Sequence, residues 1–356
     1  MSGIAGILRR DGGPVPKKWG DLLEQALMFG GGIPSRFEDS IPVERGELQI
    51  LLLSGSGIVE PCPSGLMIID GDFEGECAFA RWNEETLELE LGRKGTGQKS
   101  LYWFDLAEAG DGLLFCTNPL PLLKIARELE LPNDHFAQGV QEYLQDGFVV
   151  EGGELFSPVC SMPLQPVSQK CAEKTSELCC EFTTTLAEDV QTLVRLLGAP
   201  FADPTLLSTL QQYRFAKENG CCVVEGLAVP ESKQFFTRFS STKQIEKQKM
   251  GQRFIARRIE LGAIADYVGV QLSISEEQKP LETIPFPLAS WLRNPQSNLS
   301  QLAGDIFHSD SAFENLPIQK KSVLDMFASH QQESQDHAVE LFSLLTLVLW
   351  SQLVHA

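Results

Sequence analysis

Met1-Ser2-Gly3-Ile4-Ala5-Gly6-Ile7 decides how the rest of the chain is read. A small residue in second place favours removal of the initiator Met. Ser2 would then stand first, with a free α-amine of pKa near ~8 able to serve as its general base. Residues 3–8 are short and apolar and run into Asp11-Gly12-Gly13, the pattern of a strand and a tight turn. Working outward, residues 19–29 carry Leu22, Leu23, Ala26 and Leu27 on one helical face, closed by Gly30-Gly31-Gly32. Apolar runs at 48–53, 66–69, 78–82, 87–91, 101–104 and 113–116 predict successive strands, separated by turns such as Asp70-Gly71 and Asp111-Gly112. Packed sheets with helical cover are therefore expected to about residue 165.

Pro158, Pro163 and Pro166 mark a boundary, and the composition then changes. Helical periodicity appears at 175–197, 206–219, 244–261, 299–307, 321–327 and 338–355, with one short buried strand expected at 221–224. Two domains follow, 1–165 and 170–356, the second mostly helical. The 356 residues, 43% of them hydrophobic, suffice for two cores.

The net charge of −19 argues against nucleic acid and anionic lipid as partners. No apolar run approaches ~20 residues and no signal-like segment starts the chain, so a cytoplasmic protein without membrane contact is expected. The nine Cys include the adjacent pairs Cys179-Cys180 and Cys221-Cys222 and lack zinc-site spacing. They read as small apolar residues in a reducing compartment, with no metal or cofactor implied. The five His are scattered and read as surface or cap residues. Asp203, beside Pro204, reads as the cap of the helix starting near Thr205. Ser54-Gly55-Ser56-Gly57 reads as a turn, since no Lys follows to make a phosphate loop. Lys243, Lys247, Arg253, Arg257 and Arg258 form a basic stripe at helical spacing, a solvated helix face or a dock for an acidic protein partner.

These blocks carry a resemblance. Ser2-Gly3-Ile4-Ala5-Gly6-Ile7 is similar to the Cys-Gly-Ile-x-Gly start of class II glutamine amidotransferases. Glu76-Cys77-Ala78-Phe79-Ala80-Arg81-Trp82 resembles their Met-Phe-Ala-Phe-Ala-Leu-Trp strand, and the stretch from Leu91 to Tyr102 their Ala-Arg-Asp-x-x-Gly-x-Lys-Pro-Leu-Tyr. Further on, Ala199-Pro200-Phe201-Ala202-Asp203-Pro204, Pro285-Phe286-Pro287-Leu288-Ala289-Ser290-Trp291-Leu292-Arg293 and the stretch from Leu341 to Trp350 resemble segments of the asparagine synthetase domain, in that family's order. The resemblance implies an N-terminal αββα sandwich of the N-terminal-nucleophile hydrolase type, followed by a shortened, largely helical synthetase-like domain.

The departures from the family's pattern bear on chemistry. The nucleophile would be the Ser2 hydroxyl, which depends on a base far more than a thiolate does. Where the resemblance implies an oxyanion hole of Asn-Gly-Glu, the chain has Asp70-Gly71-Asp72. Asp70 as a carboxylate accepts hydrogen bonds and would repel an oxyanion, with Gly71 the remaining donor; losing one donor costs ~10²–10³ in rate. No Arg stands near Leu53-Ser54-Gly55 to clamp a substrate carboxylate, and the family's Gly-Ser-Asp segment is missing after Phe73. The Ser-Gly-Gly-x-Asp-Ser nucleotide loop is absent between 166 and 198. Glu225-Gly226-Leu227 replaces the second acidic motif that would hold Mg²⁺. The expectation is a pseudoenzyme: a binding or scaffolding subunit, paired with a protein partner or an active paralogue, beside an amide-forming or peptide-modifying enzyme. The family's macrocyclising and β-lactam-forming members imply that setting. The alternative is a Ser2-dependent amidohydrolase or acyltransferase acting on a substrate other than glutamine.

Overall fold

The computed structural model describes residues 3–29, 34–43, 46–55, 59–62, 64–106, 112–149, 154–162, 164–166, 185–220, 223–227, 247–275 and 287–356. The chain divides into two compact units that interleave in sequence rather than meeting at one boundary. The first holds Met1–Asn133, Phe156–Cys171 and Arg258–Gly269; the second holds Asp134–Leu155, Ala172–Arg257 and Val270–Ala356.

In the first unit, strands β1 (Ile4–Arg9), β2 (Ser35–Val43), β3 (Gly46–Ser54), β8 (Tyr102–Asp105), β9 (Gly112–Cys116) and β10 (Cys160–Ser161) form one sheet, ordered β10-β8-β9-β1-β3-β2. Strands β4 (Val59–Cys62), β5 (Gly65–Gly71), β6 (Cys77–Asn83), β7 (Glu88–Gly95) and β11 (Leu164–Pro166) form the other, ordered β11-β7-β6-β5-β4. All pairings are antiparallel except β11 with β7.

Alternation explains why the two sheets share one core. Ile4 and Leu8 of β1 and Leu48, Ile50 and Leu52 of β3 pack with Leu66 and Ile68 of β5 and Ala78, Ala80 and Trp82 of β6. Ala5 and Ile7 of β1 and Leu51 and Leu53 of β3 are equally buried but belong to the opposite face. Helices α1 (Lys17–Met28) and α2 (Pro119–Glu128) cover that face; Gly20 of α1 lies over Leu51. Gly6 is required where β1 passes between its neighbours. A Cβ there would stand 2.5 Å from the Phe115 ring and 2.7 Å from the Leu51 carbonyl oxygen. The strand readings at 48–53, 66–69, 78–82, 87–91, 101–104 and 113–116 all fall on observed strands.

The second unit is mostly helical. It contains α3 (Phe136–Asp146), α4 (Leu186–Leu197), α5 (Thr205–Glu218), α6 (Lys247–Val268, with residues from 258 belonging to the first unit), α7 (Leu288–Arg293), α8 (Asn298–His308), α9 (Lys320–Gln331) and α10 (Ala338–His355). Its one sheet among the described residues pairs β12 (Val223–Leu227) with β13 (Gln271–Ser275) in parallel. The reading of 175–197 as one helix is seen only from Leu186; residues 175–184 lie outside those described. Among the described residues α10 alone is long and apolar enough to cross a membrane, yet it is mostly buried inside its unit. It packs against α4, α7, α8 and α9, as a helix apolar on every face must. Buried polar contacts fix its position: Trp350 Nε1 donates to the Gly198 carbonyl (2.9 Å), and Thr346 Oγ1 donates to the Phe201 carbonyl (2.8 Å).

Candidate functional site

Asp70, one of the residues singled out in the sequence, belongs to a buried charge cluster. On β5, Leu66 and Ile68 point into the shared core, and Asp70 continues that alternation at the strand's end, only 3% exposed. The Lys99 ammonium reaches it, with Nζ 3.0 Å from Asp70 Oδ1, and also pairs with Asp266 Oδ2. Burial alone would lower the Lys99 pKa, but the charges of Asp70 and Asp266 outweigh it, and Lys99 titrates well above its ordinary value. Burial raises the Asp266 carboxyl, with Lys99 acting against it. Lys99 is therefore a fixed cation, and a poor general base.

The loop that presents Lys99 is held on both sides. The Glu76 carboxylate, buried, accepts the backbone N–H groups of Thr96, Gly97 (3.3 Å) and Gln98 (3.1 Å). On the other side, Arg258 donates to the Thr96 carbonyl (2.7 Å), and Gly262 faces the Gln98 carbonyl so closely that an added Cβ would overlap its oxygen. One turn further along the helix is Asp266. The next residue, Tyr267, stacks on Phe29 at 5.9 Å between ring centroids.

Hydrogen bonds carry this loop to β1. Ser100 Oγ donates to the Thr117 carbonyl (2.6 Å), the Thr117 N–H donates to the Ile4 carbonyl (2.9 Å), and the Gly55 N–H donates to the Gly3 carbonyl (2.7 Å). Ser2, the residue before Gly3, lies outside the described residues. Gly71 is exposed at the end of β5. A tight turn follows, in which the Asp72 side chain accepts the Glu74 N–H (3.1 Å) and the Asp72 N–H donates to the Glu76 carbonyl (2.9 Å).

The basic stripe is corrected by the structure. Arg253 is buried, with Nη2 3.3 Å from Asp203 Oδ2, and Arg257 Nη1 stands 3.3 Å from the same oxygen. Arg258 is half-buried and turned to the Thr96 carbonyl. These three guanidinium groups serve internal partners instead of presenting an open face to an acidic one. Lys243 and the side chain of Lys247 lie outside the described residues. Asp203 takes the expected capping contact, accepting from the Thr205 N–H (3.0 Å) and Oγ1 (2.7 Å). Burial would raise its pKa, but Arg257 and Arg253 hold it below the usual carboxylate range.

Of the Cys described, Cys77 and Cys116 are buried, Cys62 is half-buried and Cys160 is exposed. Burial pushes the Cys77 thiol up to about 11 and that of Cys116 up to about 12, so both are inert at neutral pH. Cys171, Cys179, Cys180, Cys221 and Cys222 lie outside the described residues. No group of three or more His, Cys, Asp or Glu fit to hold a metal occurs among the described residues. The sequence reading missed Lys99 and Asp266 as site residues. Their pairing spans 167 positions, and only the interior helix glycine Gly262 hinted at a close approach. No family model matches the chain, and no curated protein matches it.

Proposed function

We propose that this chain is a catalytically inactive, asparagine-synthetase-like protein that works as a binding or scaffolding subunit. In this reading the first unit is an αββα sandwich of the N-terminal-nucleophile type, and the second is a synthetase-like domain without its nucleotide cradle. The protein pairs with an amide-forming or peptide-modifying enzyme, or with an active paralogue.

The observation that carries the reading is the Asp70–Lys99 pair. An amide-hydrolysing site needs hydrogen-bond donors aimed at the developing oxyanion, and a carboxylate is not one. Here the position that the resemblance assigns to such a donor is a buried carboxylate engaged by an ammonium. Asp203 supports the same reading for the second unit: two arginines occupy it, which leaves it a poor ligand for a magnesium–nucleotide complex.

The test has two arms. The full chain is incubated with glutamine and with a glutamine-derived diazoketone, and ammonia release and intact mass are measured; no turnover and no adduct are expected. Tagged protein co-expressed with the products of neighbouring genes should retain one of them through purification. Catalytic turnover, an acyl adduct on Ser2, or clear thermal stabilisation by ATP with Mg²⁺ would overturn the reading.

A further inference from the structure

The sequence reading placed His330 among surface or cap residues, yet it is completely buried in the second unit, near the end of α9. Both ring nitrogens are engaged. Nδ1 lies 3.1 Å from the His337 backbone nitrogen, and Nε2 lies 3.3 Å from the Ala289 carbonyl oxygen of α7. A backbone N–H can only donate, so Nδ1 must carry a lone pair. The ring is therefore neutral, with its proton on Nε2 directed at Ala289. One side chain thus ties α9 to α7 and to the residue just before α10.

The charged and titratable groups around the ring are Arg293 of α7 and Asp336 and His337 of the segment leading into α10. Arg293 Nε donates to the His330 carbonyl (3.3 Å), and its Nη2 is 3.5 Å from Asp336 Oδ1. That same Asp336 oxygen accepts the Ala338 N–H (3.2 Å), an orphan donor of the first turn of α10, and stands 3.5 Å from His330 Nδ1.

We propose that His330 is a pH-sensitive latch that fastens the start of α10 to α7 and α9. A proton taken from solvent onto Nδ1 turns the acceptor of the His337 N–H into a donor, and the nearest acceptor for it is Asp336 Oδ1. The exchange abandons the His337 N–H and draws Asp336 away from Ala338. It also places a buried cation beside Arg293. Burial, followed by Arg293, keeps the imidazole below its ordinary value, while Asp336 and the Ala289 carbonyl oppose them. The closed form thus binds its proton less readily than the open form. Opening becomes easier as pH falls from 6.5 toward the closed-state value, by up to about tenfold per pH unit.

The test uses the full chain labelled with ¹³C-histidine, titrated between about pH 4.5 and 8, together with hydrogen exchange at the His337 amide. His330 is assigned by the loss of its signal in H330N, or by variants of the other four His if H330N does not fold. H330N keeps an acceptor near the Nδ1 position and does not titrate. The expected results are a His330 midpoint below 6.5, and His337 protection that falls in the wild type from about pH 6.5 down to that midpoint, levels below it, and does not change with pH in H330N. A midpoint at or above 6.5, His337 protection indifferent to the titration, or the same pH-dependent loss in H330N would overturn the latch.

Discussion

Replacing Lys99 with Met keeps most of the aliphatic stem and removes the charge that two buried carboxylates share. At 3.0 Å and an effective dielectric of about 20, the Lys99–Asp70 attraction alone is about 5 kcal/mol before desolvation is counted. Deleting one member of a buried pair costs about 3–5 kcal/mol, because the remaining charge keeps its desolvation penalty. Asp70 and Asp266 would then face each other unscreened, and one of them must take up a proton. The Asp266 carboxyl, which burial already raises, loses the Lys99 charge that acts against that rise. The variant's deficit against wild type is therefore largest at pH 7 and shrinks as pH falls toward the ordinary carboxylate range. The assay is hydrogen exchange on peptides covering 65–71 and 258–268. These segments are the two that Lys99 joins, so the readout is local even if the two units unfold separately. Protection should fall roughly a hundredfold to several thousandfold at pH 7, at about 1.4 kcal/mol per decade, and by much less at pH 5. A loss under about tenfold, or one equal at both pH values, would refute the claim that this cluster fastens helix residues 258–268 to the sheets.

Gly262→Ala would stabilise an ordinary exposed helix by up to about 1 kcal/mol, but here the new methyl meets the Gln98 carbonyl. A lowered melting temperature and a loss of about 1–3 kcal/mol are expected, and a raised melting temperature would contradict the close approach. Asp203→Asn removes the carboxylate charge that Arg253 and Arg257 share and should cost about 3–5 kcal/mol at pH 7, read from the urea midpoint. Because the Asp203 pKa is depressed, that stabilisation is present above about 3.8 and is lost as pH falls below it, so the two proteins should converge in acid.

Strands β1, β3 and β5 to β9 were legible because their burial writes short apolar runs, bounded by turn residues, into the sequence. Strand β2 was not. It lies at a sheet edge, where Arg36, Glu38, Asp39 and Pro42 are tolerated and mask the pattern set by Phe37 and Ile41. Helix α2 is short, but its start could have been read from Asn118-Pro119. The Asn118 side chain accepts the Leu120 N–H (2.9 Å), and Pro119 sits in the first turn, where its missing donor costs nothing. Arg253 and Arg257 show the limit of periodicity. Spacing puts them on one face of α6, but whether that face meets water or a carboxylate depends on Asp203, 50 and 54 positions away by their numbering. His330 gave no signal either, since a buried neutral imidazole and an exposed one look alike in sequence.

The buried charges of this chain bear on its function through the partners they have. In a catalytic cleft, charged groups are left partly unsatisfied so that a substrate or a transition state completes them. Here Asp70 is completed by Lys99, Glu76 by three backbone N–H groups of the adjoining loop, and Asp203 by two guanidinium groups and Thr205. These three carboxylates serve as internal ties. Each helps to hold a loop or helix in place. A surface kept in shape by such ties can still be recognised by a partner, while the groups that would polarise a bond are already occupied.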